Sequence, residues 1–114
     1  MNKEKYQLRY LPIFYTDLEK TITYITNKLN NPRAANKLLN DVEQSILHRQ
    51  PVAEAFQPYY SSHKRLHPYY RIYVNNFTVW YVVLTDDNGN KIMEVRRFLY
   101  NKCDTFSFTA NASA

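Results

Sequence analysis

Hydrophobic and polar positions give the N-terminal half of the chain a helical period. Residues 6–11 (YQLRYL) alternate loosely and precede Pro12, which predicts a short first strand. Thr16 and Glu19 have the spacing of a capping box, so a helix is expected to begin at Thr16. Behind this start, apolar residues recur every three or four positions, at Leu18, Ile22, Ile25 and Leu29. This stripe predicts one amphipathic helix.

A second helix is predicted directly after Asn30. Asn31 is a suitable N-cap, and Pro32 suits the first helical position because its fixed φ and missing N–H cost nothing there. The apolar stripe of this helix is Ala35, Leu38, Leu39, Val42 and Ile46. Because the connection is so short, we expect the two helices to lie antiparallel as a helical hairpin.

The C-terminal half is patterned for strands. Residues 51–68 hold three prolines and show no period, which is typical of a long loop. Three segments rich in β-branched and aromatic residues then predict strands over 70–74, 77–84 and 91–99. Asn75-Asn76 fits a two-residue hairpin turn, and residues 86–89 (DDNG) fit a second turn.

The predicted order is therefore β-α-α-β-β-β, an α+β fold. A helical hairpin covers one face of a sheet whose last three strands form an antiparallel meander. Residues 1–104 are expected to form one domain, since 114 residues with 45% hydrophobic content suffice for a single core. Residues 105–114 are mostly small and polar, apart from Phe106 and Phe108, and are expected to form a frayed or loosely docked tail.

Composition narrows the class of protein. One cysteine excludes an intramolecular disulfide, and no apolar run predicts a signal peptide or a membrane span. We therefore expect a cytoplasmic protein without a membrane partner. A single glycine excludes a Gly-rich phosphate loop, and Cys103 with three scattered histidines lacks metal-ligand spacing, so no cofactor or metal is expected.

The basic charge is unevenly distributed. The net charge is +5, and residues 55–85 contain no Asp or Glu but hold half of the chain's Phe, Trp and Tyr residues. Cations for phosphate and rings for base stacking suit nucleic acid. A tyrosine-rich sheet whose acidic residues lie elsewhere has the same composition, so both interpretations stay open.

Four segments together resemble the RelE/ParE superfamily of type II toxin–antitoxin toxins, over residues 5–104. They are DLEKTITYI (17–25), NPRAANKLLNDV (31–42), YRIYVNNFTVWYVV (70–83) and MEVRRFLYNKCD (93–104). The resemblance implies a microbial-RNase-like fold and one of two activities. RelE-like members cut mRNA on the ribosome, without a metal, and ParE-like members inhibit DNA gyrase. Both kinds are neutralised by a cognate antitoxin.

The resemblance also implies a site. RNA cleavage by the ribose 2′-OH needs a group that takes a proton, one that supplies a proton and cations for the crowded phosphate. The implied catalytic residues are Arg71, Arg97, Tyr100 and Lys102. The cations would hold phosphate, and Tyr100 or His67 would transfer the proton. The expected substrate-binding residues are Lys64, Arg65, His67, Tyr73 and Tyr81.

Local patterning refines three of these assignments. Strand alternation places Arg96 and Arg97 on opposite faces, so at most one of them points into a given cleft. The resemblance implies that this is Arg97, in a cleft shared with Arg71, and that Arg96 packs along the helices or pairs with Glu94. Of the adjacent pair Trp80 and Tyr81, the core is favoured for Trp80 and ring stacking for Tyr81. The alternative interpretation of Arg71 and Arg97 is that both are ordinary strand residues whose guanidinium groups point into solvent.

Departures from the nuclease pattern keep the target open. Tyr100 stands where the family often has His, Lys102 and Cys103 where Arg is frequent, and Tyr73 and Thr78 where basic residues are common. The first hypothesis is a ribosome-dependent mRNA endoribonuclease. A gyrase inhibitor is the second, and a non-catalytic nucleic-acid-binding module is the third.

The predicted partner follows from charge and from exposed sheet edges. A basic cleft beside such edges favours an acidic, partly disordered antitoxin that adds a strand or lays a helix across it. We therefore expect a toxin–antitoxin hetero-oligomer.

Overall fold

The computed structural model describes residues 6–59 and 67–101, which form one four-stranded sheet with two helices packed on one face. The elements are β1 (Tyr6–Tyr10), α1 (Pro12–Thr23), a π-helical turn (Tyr24–Lys28), α2 (Pro32–Arg49), a 3-10 turn (Gln50–Val52), β2 (Tyr70–Val74), β3 (Phe77–Thr85) and β4 (Lys91–Tyr100). The predicted order β-α-α-β-β-β is confirmed, and the predicted strands end within one residue of the observed ones.

The sheet order is β1-β4-β3-β2. The first strand runs parallel to the last, and the other neighbours are antiparallel. Both predicted turns are confirmed. Asn75 takes a φ of 55° between β2 and β3, and Gly89 takes a φ of 85° between β3 and β4. In the second turn Oδ1 of Asp86 accepts the backbone N–H of Asn90 at 2.8 Å.

The two helices start in different ways. α2 is capped as predicted, because Oδ1 of Asn31 accepts the N–H of Ala34 at 3.1 Å. The capping box predicted at Thr16 is wrong. Leu11 donates its N–H to Val95 O at 2.9 Å, and the chain turns at once into α1 with Pro12 in the first turn. Proline supplies a helical φ there without leaving an N–H unpaired, so no side-chain cap is needed.

The main core lies between the helices and one face of the sheet. Its fully buried residues include Phe14, Ile46, Val79, Tyr81, Met93, Val95 and Phe98. Two residues of the predicted stripes, Leu29 and Leu39, are exposed instead. Leu29 donates its N–H to Tyr24 O, five residues back, so the π-helical turn rotates it out of the stripe.

The opposite face of the sheet, here called the open face, carries a smaller aromatic cluster. Tyr69, Trp80 and Val82 are buried there, and Tyr59 packs against them. Tyr59 donates its N–H to Tyr69 O, and its ring meets Trp80 edge to face with centroids 5.3 Å apart. Tyr59 is thus anchored to the sheet, although the sequence around it carries no periodic pattern.

The described helices are too short or too polar to cross a bilayer. Within 6–59 and 67–101, no group of three or more His, Cys, Asp or Glu residues is arranged to hold a metal ion. The predicted tail, 105–114, lies outside the described residues, as does Cys103.

Replacing the cap of α2 provides a test of this local structure. Asn31→Ala removes the acceptor of the Ala34 N–H and is expected to lower the free energy of unfolding by about 1 kcal/mol. The matched control is Asn36→Ala, an exposed position within α2 where alanine is a better helix former. Urea unfolding followed by circular dichroism measures both variants. Equal stability of the two would show that the cap does not hold the start of α2.

Candidate functional site

Arg97, one of the predicted catalytic residues, is held by a carboxylate from α1. Its Nε donates to Oδ2 of Asp17 at 2.7 Å and its Nη2 to Oδ1 at 3.0 Å. Oδ2 of Asp17 also accepts the backbone N–H of Phe98 at 3.0 Å. The Asp17 side chain is 10% exposed and that of Arg97 25%. This two-pronged pair is the strong geometry for a guanidinium and a carboxylate.

The position of Asp17 explains the pairing. β1 ends at Tyr10 opposite Val95, whereas β4 continues to Tyr100. Asp17 therefore accepts a backbone N–H on the stretch of β4 that β1 no longer covers. Removing one member of a buried pair leaves an uncompensated charge, which typically costs about 3–5 kcal/mol. Arg97 thus stabilises the contact between α1 and the sheet.

Arg71 lies on the open face among aromatic rings. Its guanidinium carbon is 4.8 Å from the ring centroid of Tyr59 and 5.8 Å from that of Tyr73. These distances allow cation–π attraction, which orients the guanidinium. The residues surround a shallow hollow of about 280 Å³, here called the open-face hollow, lined by Tyr59, Arg71, Tyr73, Thr78, Trp80 and Asn101. The structure therefore brings together Arg71 and Tyr73 from the predicted set.

Tyr100 lies on the other face of the sheet. Its ring centroid is 5.4 Å from that of Phe77, which stacks on the core residue Phe98 at 4.8 Å. Tyr100 lines a separate groove between the helices and the ends of β3 and β4. The cleft that we expected Arg71, Arg97 and Tyr100 to share is therefore not formed. Arg71 and Tyr100 lie on opposite faces of the sheet, and the guanidinium of Arg97 is bound to Asp17.

Tyr81 was expected to stack on a substrate, and this is wrong. The side chain is fully buried in the main core and stacks on Tyr70 with ring centroids 5.2 Å apart. Its hydroxyl donates to Ala53 O at 2.6 Å and accepts from Nη1 of Arg49 at 3.0 Å. Burial raises the pKa of Tyr81, because the phenolate would lose its hydration. Trp80 is buried as expected, but in the smaller cluster on the open face.

The remaining predicted residues divide into two groups. Tyr73 is 63% exposed and His67 is half-buried. Lys64, Arg65 and Lys102 lie outside the described residues, so their roles stay predictions.

Arg96 pairs with Glu94, as one of the two sequence alternatives predicted. Its Nε donates to Oε1 of Glu94 at 2.9 Å, and Nη2 of Arg9 lies 2.6 Å from Oε2 of the same carboxylate. Glu94 is buried, so two cations compensate one desolvated charge. The guanidinium of Arg96 also lies 5.9 Å from the Tyr69 ring centroid.

Two residues that shape the site were missed from the sequence. Tyr59 forms one wall of the open-face hollow, and Asn101 accepts a hydrogen bond from Thr78 at its rim. Tyr59 lies in a segment without periodicity, so no local pattern marks it. Asn101 comes two residues after the predicted strand end, and its position depends on its hydrogen bond with the distant residue Thr78.

Comparison with known proteins finds similarity to a solved structure. No family model matches the chain, and no curated protein matches it either. Among solved structures, a chain of the "Chromosomal ParDE TA system from P. aeruginosa" superposes with a TM-score of 0.67 at 16% sequence identity. The alignment covers 86% of this chain and 98% of that chain.

The chain has a ParDE-like fold. The resemblance to the RelE/ParE superfamily found in the sequence is confirmed at the level of the fold.

Alkaline pH is expected to destabilise the protein through Tyr81. Since burial raises its folded pKa above the ordinary value of 10.0, the unfolded chain loses this proton first. The stabilisation is therefore complete below pH 10 and is lost as the pH rises through the folded pKa. Tyr81→Phe should show a smaller alkaline loss of unfolding free energy than the parent.

Urea unfolding at pH 8 and pH 11 measures this difference. Tyr81→Phe is also expected to be less stable at pH 8, by roughly 1–3 kcal/mol, because Ala53 O loses its buried donor. Tyr73→Phe, at an exposed position, is the matched control and should keep the parent's pH dependence. An alkaline loss in Tyr81→Phe equal to the parent's would contradict the assignment.

Proposed function

We propose that this chain is the toxin of a type II toxin–antitoxin pair and that it stops growth by inhibiting DNA gyrase. The ParDE-like fold supports the first part, since the structure it matches is described as a toxin–antitoxin system. ParE-like members of the superfamily that the sequence resembles are gyrase inhibitors. Gyrase is a cytoplasmic target, so the proposed location is the cytoplasm.

The arrangement of the candidate residues supports inhibition by binding more than RNA cleavage. Cleavage needs a proton-transfer group and cations within hydrogen-bond reach of one phosphate, roughly 3 Å. Arg71 and Tyr100 lie on opposite faces of the sheet, and Arg97 is bound to Asp17. The single observation that carries the proposal is that Arg71, Arg97 and Tyr100 are kept apart in a chain with a ParDE-like fold.

Cleavage of mRNA is the second candidate, and the open-face hollow favours it. An arginine flanked by Tyr59 and the exposed Tyr73 offers a charge for phosphate and rings for bases. On this candidate Lys64, Arg65, His67 and Lys102 would add cations or proton transfer around Arg71. The same hollow without a proton-transfer group would serve a non-catalytic nucleic-acid-binding module.

An antitoxin is the proposed partner in each toxin hypothesis. The net charge of +5 favours an acidic partner. The matched ParDE chain belongs to a system of this kind, which supports a hetero-oligomer with an antitoxin.

Two assays on the purified protein separate the candidates. In the first, gyrase and ATP supercoil a relaxed plasmid, and we expect the protein to abolish supercoiling. In the second, the protein is added to a translation extract with a defined mRNA, and we expect the mRNA to stay intact. Intact supercoiling together with mRNA cut at codon boundaries would overturn the gyrase proposal.

A substitution then locates the activity if mRNA is cut. Arg71→Gln removes the charge from the open-face hollow and is expected to reduce cutting about 10²-fold, as for loss of one preorganised charge stabiliser. Arg33→Gln, an exposed position in α2, is the matched control. Arg97→Ala is a poor probe of catalysis because it leaves Asp17 without its partner.

A further inference from the structure

The cationic side chains of the sheet differ in whether they have a counter-charge. The cationic residues of the described strands are Arg9, Arg71, Lys91, Arg96 and Arg97. All of these except Arg71 are paired with a carboxylate, which belongs to Asp17, Glu54 or Glu94. Arg71 has no carboxylate partner among the residues that the structure describes. The sheet therefore presents one cation whose charge the described chain leaves uncompensated.

The surroundings of Arg71 add to this imbalance. Arg71 is half-buried, and a charge that has lost part of its hydration normally has a counter-charge nearby. The rings of Tyr59 and Tyr73 compensate only part of it, through cation–π attraction. The described lining of the open-face hollow includes no Asp or Glu, and residues 55–85 contain none in sequence. The missing counter-charge is therefore expected to come from a bound anion.

Arg71 is held in place from two sides. Its carbonyl oxygen accepts a hydrogen bond from Nη1 of Arg49 at 3.1 Å, and Arg49 is itself bonded to the buried hydroxyl of Tyr81 at 3.0 Å. Its guanidinium carbon lies 4.8 Å from the ring centroid of Tyr59. An anion that binds Arg71 therefore immobilises little that is not already fixed, and such preorganisation favours affinity.

The isolation of this cation favours a single carboxylate over a nucleic acid. A nucleic-acid strand lies along a groove in which several cations neutralise successive phosphates. Among the described residues, the other arginines of the strands are already neutralised by Asp17 or Glu94. One guanidinium matches one carboxylate, because its fork can donate to both oxygens. The volume of about 280 Å³ is at the lower end of the roughly 300–1,000 Å³ of ligand pockets and suits one acidic side chain.

The rings around Arg71 favour a protein as the source of that carboxylate. Tyr, Trp and Arg are the residue types enriched at the few positions that carry most of the binding energy of protein interfaces. The open-face hollow combines all three, with Tyr59, Tyr73 and Trp80 beside Arg71. Tyr73 is 63% exposed, so its ring can contact a partner directly. The hollow thus fits an Asp or Glu side chain on the surface of another protein.

We propose that the open-face hollow is the surface through which this chain contacts gyrase, and that Arg71 pairs there with an Asp or Glu side chain of the enzyme. This inference rests on the proposed function, in which gyrase is the protein that the chain binds. The toxin acts on its target while no antitoxin is bound, so a surface with an unmet charge in the chain alone is suited to the target. Tyr73 adds a ring contact beside the ion pair.

Binding to immobilised gyrase in the absence of DNA tests the proposal. Surface plasmon resonance measures the Kd of the parent, of Arg71→Gln and of Arg33→Gln, the matched control at an exposed position in α2. We expect Arg71→Gln to raise the Kd about 30-fold, as for loss of a central interface residue, and Arg33→Gln to bind like the parent. Added sodium chloride should weaken the parent more steeply than Arg71→Gln, because only the parent has this ion pair to screen.

A second pair of variants tests the hollow without changing its charge. Tyr73→Ala removes an exposed ring beside Arg71 and is expected to raise the Kd about 10-fold. Tyr15→Ala, at a 54% exposed position on α1, is the matched control and should leave the Kd unchanged. Unfolding in urea, with the same free energy of unfolding for Tyr73→Ala as for the parent, shows that the fold is intact.

The outcomes separate this inference from the proposed function. If the parent binds gyrase and Arg71→Gln binds equally well, the inference is overturned and the proposed function stands. A loss of binding in Arg71→Gln that is seen only when gyrase holds DNA would also overturn it, because the partner of Arg71 would then be a phosphate. If the parent neither binds gyrase nor inhibits supercoiling, the proposed function is overturned and this inference with it.

Discussion

The contact between Asp17 and the end of β4 is the constraint on which the rest of the arrangement depends. β1 is too short to pair with all of β4, so a polar backbone edge begins after Val95. Buried backbone groups must find partners, and Asp17 accepts the N–H of Phe98 while it binds both prongs of Arg97. α1 is thereby fixed against the sheet at the point where Phe14 meets Phe98.

This constraint also determines what the candidate site can do. A guanidinium bound by a buried carboxylate is already neutralised, so the basic end of β4 contributes less to anion binding than its sequence indicates. The two other described candidates, Arg71 and Tyr100, are separated by the sheet itself. Arg71 lines the open-face hollow, whereas Tyr100 lines the groove between the helices and the ends of β3 and β4. Two surfaces of different chemistry result, and this division favours a protein that acts by binding.

The fold was predictable because its signals are local, whereas the site depends on distant partners. Asn31 caps the helix that starts beside it, Asn75 forms the turn in which it lies, and the composition of each strand segment determines that segment's own structure. The predicted helix cap, turn and strands are all confirmed. Asp17 and Arg97 are 80 residues apart, and no local pattern pairs them. A bulge adds a second difficulty. Trp80 pairs with Arg97 and Tyr81 with Val95, so Arg96 is an extra residue and simple alternation fails there.

A double-mutant cycle on Asp17 and Arg97 tests the central claim most directly. Asp17→Asn, Arg97→Gln and the double variant are unfolded in urea, and their free energies of unfolding are compared with that of the parent. If the pair joins α1 to β4, the coupling energy should be favourable and about 1–3 kcal/mol, since residues in direct contact are not additive. Additive effects of the two substitutions, with a coupling energy near zero, would show that Arg97 is not held by Asp17 and is available for another role.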